Sequence, residues 1–223
     1  MPGPLAWIGL IVAGTAAGLD LATGPQVLLN RPVVVGTLAG LILGDPWKGM
    51  LVGSALELFA LEVLPVGASR YPDFGPGAVG AALVLWTGGV QDLWRAVLVG
   101  LAAAVAGGWS LVILRRRNAD AAARATAALQ ALEPGVFGRL QAAGFRRDLL
   151  RSAALTLLGL GLARLSELLP PVAADRAGWL NAAALGAGAA AAINGAIRNA
   201  GRGRRLGALG AGLAVGTLWA VLR

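Results

Sequence analysis

Long apolar runs, cut by prolines and by isolated charges, organise the chain. Residues 5–22, 77–90, 96–114, 155–169, 179–197 and 206–222 carry few charges. A spanning helix takes roughly 17–25 mostly apolar residues, so 77–90 and 155–169 are short for that task. Between the first and second runs lies an unusual pair, 33–44 and 50–64. At 1.5 Å per residue the first of these covers about 18 Å, against a bilayer core of about 30 Å. The pair predicts two half-helices or a re-entrant hairpin, which persists at depth only where protein or a water-filled cavity surrounds it. The pattern predicts an all-α integral membrane protein with about six spanning helices plus this hairpin in the N-terminal third. Residues 1–223 read as a single membrane domain. Within it, 1–114 hold the N-terminal helices and the polar hairpin 33–64, 115–151 an amphipathic arm, and 152–223 the C-terminal helices. Residues 5–22 have no preceding basic stretch and no small-residue cleavage pattern, so they read as a retained first helix.

Composition sharpens the class. Hydrophobic residues make up 57% of the 223 and charged residues 13%, about half the charge a soluble domain carries. A soluble enzyme is excluded on that ground. The chain has no His and no Cys. Imidazole acid–base chemistry, His-containing triads, phosphohistidine, thiolate nucleophiles and iron–sulfur ligation are therefore excluded on this chain. No phosphate-binding GxxxxGK[ST] motif occurs. No cofactor or metal site is expected, and no catalytic residue.

The net charge of +8 suits either nucleic acid or a membrane, and placement decides between them. With the hairpin returning to its starting side, 14 of the 19 basic residues share one side: Arg31, Arg70, the eight within 115–151, and Arg198, Arg202, Arg204 and Arg205. Arg95, Arg176 and Arg223 face the other. By the positive-inside rule the basic side is cytoplasmic and the N-terminus lies outside. The arginines lack the interleaved aromatics on which bases would stack, so no nucleic-acid partner is expected. Segment 115–151 has an Ala-rich stretch at 119–132 and a Glu133-Pro134-Gly135 break. It predicts an arm at the cytoplasmic interface or a docking surface for a soluble partner. The small residues of 186–192 predict close helix–helix packing.

The candidate chemistry lies between Asp20 and Asp73. Asp20, Gln26, Asn30, Arg31, Asp45, Lys48, Glu57, Glu62, Arg70 and Asp73 stand among apolar neighbours. A carboxylate at bilayer depth costs roughly 2.5–3.5 kcal/mol on insertion scales, so it faces a cavity or a partner. Glu57 lies inside a hydrophobic run, where a ligand role competes with a buried ion pair. Glu62, five residues on, points about 140° away on a helix and suits an interfacial role. Asp45-Pro46 has the form of a helix start, and Gly24-Pro25 and Arg31-Pro32 are further breaks. Broken helices of this kind build substrate sites in secondary transporters. Gln26, Asn30, Glu57 and Asp73 offer paired hydrogen bonds to vicinal hydroxyls, and Trp47, Tyr71 or Trp86 an apolar face. These groups by themselves do not separate a sugar from an amino acid or a cation.

The run Pro25-Gln-Val-Leu-Leu-Asn-Arg-Pro32, then Leu43-Gly44-Asp45, Gly49, Gly53, Leu56-Glu57-Leu58, Pro65-Val-Gly-Ala68 and Pro72-Asp73 resembles the IIC membrane component of the mannose/fructose/sorbose-type phosphotransferase system. The clear match covers about 25–80. The resemblance implies a permease subunit in the bacterial cytoplasmic membrane that binds sugar and is not itself phosphorylated. It also implies a IID membrane partner, soluble IIA and IIB phosphocarriers, phosphorylation of the sugar by IIB, and an oligomer. By motif position it implies Glu57 and Asp73 as sugar-site carboxylates, with Gln26 and Asn30 as neighbours. Two other expectations stand beside it: a non-transporting scaffold or sensor derived from that family, and an unrelated ion-coupled transporter using Glu57 and Glu62.

Overall fold

The computed structural model describes residues 2–63 and 70–197. Its elements are α1 (Pro4–Ala22), α2 (Pro32–Leu43), α3 (Pro46–Ala60), α4 (Phe74–Gly88), a 3₁₀ turn (Val90–Asp92), α5 (Leu93–Arg124), α6 (Thr126–Gln130), α7 (Val136–Ser166) and α8 (Ala174–Ile197). Among the described residues there is no strand. Pro4, Pro32 and Pro46 each open a helix, where the missing N–H costs nothing and the fixed φ is already helical.

Four stretches are long and apolar enough to cross a membrane: Pro4–Ala22, Val90–Arg124, Val136–Ser166 and Ala174–Ile197. The expected count of six is not reached among the described residues. The run at 77–90 becomes α4, a helix of 15 residues, and the run at 206–222 lies outside the described residues.

The expected hairpin is present as α2 and α3, joined by Gly44 and Asp45. Gly44 ends α2 in the left-handed conformation at φ 82°, open to glycine at no steric cost. A glycine seam then lets the two helices touch backbone to backbone. A Cβ on Gly36 would lie 2.9 Å from the Gly53 Cα, and one on Gly40 2.8 Å from the Gly49 Cα. The carboxylate of Asp45 accepts the Lys48 backbone N–H at 3.1 Å and pairs with the Lys48 ammonium at 3.2 Å. That backbone N–H, above all, holds Asp45 below the ordinary carboxylate range.

The central post is α4. Phe74 through Leu85 are all buried, enclosed by α5, α7, α2, α3 and α1. Glycines again set the distance: a Cβ on Gly77 would meet the Gly100 carbonyl at 2.6 Å. Around this post the outer faces are apolar. Leu5, Ile8, Val12, Leu98, Val105, Ile113 and Leu157 are all more than half exposed, an apolar surface suited to acyl chains.

Segment 115–151 is divided among α5, α6 and α7. Its first part continues α5 and its last part belongs to α7. At 32 and 31 residues these helices reach about 45–48 Å, longer than the bilayer core, so they extend past it as a stem. Helical continuation of the Ala-rich and Arg-rich sequence costs little, and α6 closes the stem. Arg147 of α7 donates to Asn118 Oδ1 of α5 at 3.0 Å across it.

The small-residue interface expected at 186–192 is narrower than the sequence suggested. Gly188 of α8 packs on Leu58 and Phe59 of α3, where a Cβ would sit 3.0 Å from the Phe59 ring, while Gly186 faces open space.

Candidate functional site

The loop between α1 and α2 is built around one carboxylate. Asp20, 3% exposed, accepts the Val27 N–H at 2.8 Å and the Asn30 N–H at 3.2 Å. Gln26 and Leu28 sit at φ 56° and 67°, a region side chains rarely occupy and in which strain collects at functional sites. Thr23 pins the same loop from the other end by donating to Asp148 Oδ2 at 2.7 Å.

Beneath this loop lies a cavity of about 370 Å³ lined by Asp20, Leu21, Gln26, Leu28, Asn30, Arg31 and Tyr71. A smaller one of about 70 Å³ shares Asn30, Arg31 and Tyr71 and extends to Pro72 and Phe74. Two of the four sequence-selected residues, Gln26 and Asn30, line the larger cavity directly. Glu57 reaches it through Arg31: the two form an ion pair, and the second Glu57 oxygen accepts the Val33 N–H at 3.2 Å. One carboxylate thus closes the base of the hairpin, joining the first turn of α2 to the end of α3. Of the aromatic candidates, Tyr71 borders the cavity. Trp47 lies exposed near the hairpin tip, and Trp86 packs against the main core. The Tyr71 hydroxyl accepts from Arg115 at 2.7 Å.

Asp73 is apart from that cavity. It is 1% exposed, and its backbone N–H donates to the Ala104 carbonyl at 2.9 Å. Its Oδ2 accepts from Arg151 at 2.8 Å, while Oδ1 is buried without a hydrogen-bond partner. Arg151 also donates to Asp148 at 2.7 Å, to the Gly18 carbonyl at 3.1 Å, to Ser152 at 3.3 Å and to Ser110 at 3.4 Å. One guanidinium therefore ties α1, α4, α5 and α7 together. The guanidinium carries five N–H donors in fixed directions, against three on an ammonium, which suits it to this many partners. Asp148 and Arg151 were not singled out from sequence. They sit in a segment read as interfacial, and their partner Asp73 is far away in the chain; the one local signal was their i, i+3 spacing.

The expected helical relation between Glu57 and Glu62 does not arise, because α3 ends at Ala60 and Glu62 lies in the turn after it, where it accepts from Asn194 of α8 at 2.8 Å. Among the described residues no group of three or more His, Cys, Asp or Glu gathers as metal ligands.

Comparison with known proteins places this arrangement. The family model described as PTS system sorbose-specific IIC component matches residues 5–163. The putative N-acetylgalactosamine permease IIC component 2 of Escherichia coli K12 is 40% identical over 90 residues, 40% of this chain and 67% of that protein. The sorbose-specific EIIC component of Lacticaseibacillus casei is 32% identical over 111 residues, 50% of this chain and 38% of the relative. The mannose-specific EIIC component of Escherichia coli K12 is 29% identical over 111 residues, 50% and 40% of the two. The alignments to these last two thus span well under two thirds of the relatives' length. Two solved structures share the fold. One, described as a membrane protein, has a TM-score of 0.70 at 21% identity and covers 99% of this chain and 95% of that one. The other is a cryo-electron-microscopy structure of the mannose transporter ManYZ with microcin E492, with a TM-score of 0.60 at 22% identity, covering 99% and 94%. The family match sets aside an unrelated ion-coupled transporter. The chain belongs to the family of sorbose-specific IIC components of the phosphotransferase system, membrane-embedded permease subunits and not catalysts in themselves.

Proposed function

We propose that this chain binds a sugar and passes it inward for phosphorylation by a IIB partner. The observation that carries the reading is the cavity of about 370 Å³ at the foot of the hairpin, where two neutral amides, an arginine and a tyrosine line one space. Gln26 and Asn30 donate to and accept from sugar hydroxyls, and a site built on such paired bonds discriminates against analogues lacking them. Tyr71 supplies the flat apolar face. Glu57 acts on the sugar and through Arg31, whose guanidinium it orients. Asp73, apart from that cavity, offers its unpartnered Oδ1 as a second acceptor for the sugar further along the path.

In this reading a IID subunit completes the permeation path, and IIA and IIB carry phosphate to the sugar on the cytoplasmic face. The basic stem built from α5 and α7 faces that side of the bacterial inner membrane and the N-terminus faces outward. An arginine-rich surface there steers acidic or phosphorylated carriers. Residues 1–223 act as one membrane unit, and the complex is oligomeric.

The test is phosphorylation-coupled uptake of mannose, sorbose and fructose in cells expressing IID, IIA and IIB with this chain. Asn30→Ala and Glu57→Gln are expected to cut uptake at least tenfold while the protein still co-purifies with IID. Uptake unchanged in both variants removes the cavity from the transport path. Co-purification with IID without uptake of any sugar by the parent chain refutes transport in favour of a scaffold.

A further inference from the structure

We propose that a groove between α5 and α7 is a binding site for an anionic phospholipid, with the lipid phosphate held by Arg117 and Arg147. The groove encloses about 300 Å³ and is lined by Ser110, Ile113, Leu114, Arg117, Arg147, Leu150 and Arg151. Its wall changes character along its length. Ile113 and Leu150, 53% and 66% exposed, form an apolar lower part continuous with the outer face of the bundle. The guanidinium groups of Arg117 and Arg147 stand above them, one from each helix.

The three arginines are not equivalent. Arg151 is spent on Asp73 and Asp148 and serves as floor. Arg147 uses one η-nitrogen on Asn118, which leaves the other for a ligand. Arg117 is exposed, and no hydrogen bond or ion pair engages it among the described residues. Two guanidinium groups thus converge on a groove without a carboxylate in its lining. Phosphate oxygens are the geometric match for that fork.

The level of the groove identifies the source of the phosphate. Trp109, 57% exposed, carries Arg70 stacked at 4.0 Å from its ring centre. An exposed Trp beside arginine marks where acyl chains give way to headgroups, one turn below Ile113. Arg115, Arg116 and Arg117 follow within two turns on the same helix. The acyl chains run below this level, the glycerol end of the lipid lies along Ile113 and Leu150, and the phosphate meets Arg117 and Arg147. Basic pockets between membrane helices on the cytoplasmic side hold anionic lipid headgroups in this way. The inference rests on the membrane reading of the fold and is independent of the sugar site.

The experiment uses the full chain purified in neutral detergent, with lipid binding followed by native mass spectrometry and by the melting temperature. Phosphatidylglycerol, phosphatidylcholine and inorganic phosphate are titrated against the parent, R117Q, R147Q, the double variant and R116Q as the charge control. Phosphatidylglycerol is expected to bind and raise the melting temperature where phosphatidylcholine does not. Its apparent affinity is expected to fall roughly fivefold for each of R117Q and R147Q and roughly thirtyfold for both, with R116Q close to the parent. Because no hydrogen bond or ion pair engages Arg117 among the described residues, R117Q tests the site with the least disturbance of the fold. Equal losses in R116Q and R117Q show a diffuse surface field and overturn the site. An equal shift from inorganic phosphate overturns the lipid assignment, and equal binding of phosphatidylcholine overturns the role of the charge.

Discussion

Replacing Arg151 by methionine leaves two carboxylates, Asp73 and Asp148, in a site where both side chains are fully buried. The methionine fills most of the volume, so the loss is electrostatic. Breaking a buried pair by removing one partner costs about 3–5 kcal/mol, because an uncompensated charge stays behind. Here the remaining charges are two. Arg151→Met is therefore expected at the upper end, about 4–5 kcal/mol. Asp73→Asn keeps Arg151 paired to Asp148 and loses one charge-assisted hydrogen bond, worth about 1.5–3 kcal/mol. Arg151→Lys retains the charge but has three donors in place of five, so it loses part of the network and falls between the two. The assay is thermal or denaturant unfolding of the full chain in detergent, arranged as a double-mutant cycle of Asp73→Asn and Arg151→Gln. A coupling of at least about 1 kcal/mol is expected between residues sharing a network. Arg151→Met within about 1 kcal/mol of the parent, together with additive single variants, refutes the claim that this cluster holds four helices together.

Three further outcomes follow from the same geometry. Gly36→Val places carbon against Gly49 and Gly53 and forces α2 and α3 apart. It should cost about 1–3 kcal/mol as an overpacked contact, read as a lower melting temperature and faster proteolysis between residues 43 and 46. Asp45, held below its ordinary value of 3.8 by the Lys48 N–H, contributes fully above that value, and its contribution is lost as pH falls through the lower folded value. Asp45→Asn should thus be less stable than the parent near neutrality and lose less on acidification from about pH 5 to about pH 3, as melting curves across that range will show. Asn181 accepts from the Trp94 N–H at 2.8 Å and donates to the Val90 carbonyl at 3.1 Å, tying α8 to the start of α5. Asn181→Ala should cost about 1–2 kcal/mol and raise hydrogen exchange in α8 before the rest of the bundle.

The hairpin was legible because prolines and glycines state backbone geometry locally. Asp45-Pro46 announced the start of α3, and the shortness of 33–44 announced a helix that cannot span. Glu57 and Glu62 do have separate partners, Arg31 and Asn194, but because α3 ends before Glu62 and not because of the helical turn. What sequence could not supply was long-range pairing. Nothing local joins Asp73 to Arg151, since their meeting depends on how α4 and α7 cross. Asp20 was visible as a charge in an apolar run, but its use as the organiser of the loop above the cavity depends on the positive φ values of Gln26 and Leu28. Sequence showed 115–151 as amphipathic and Arg-rich, but its division among α5, α6 and α7 depends on packing against the neighbouring helix, which no local pattern states.

The hairpin is clasped at its foot, where Glu57 of α3 pairs with Arg31 at the start of α2, and zipped by glycine above. Such a unit has no internal give. If the proposed transport opens the space at its foot, both helices are expected to swing as a single paddle, with the bending in chain outside residues 32–60. Cross-linking α2 to α3 would then leave the cycle running, whereas tethering the paddle to α4 would stop it.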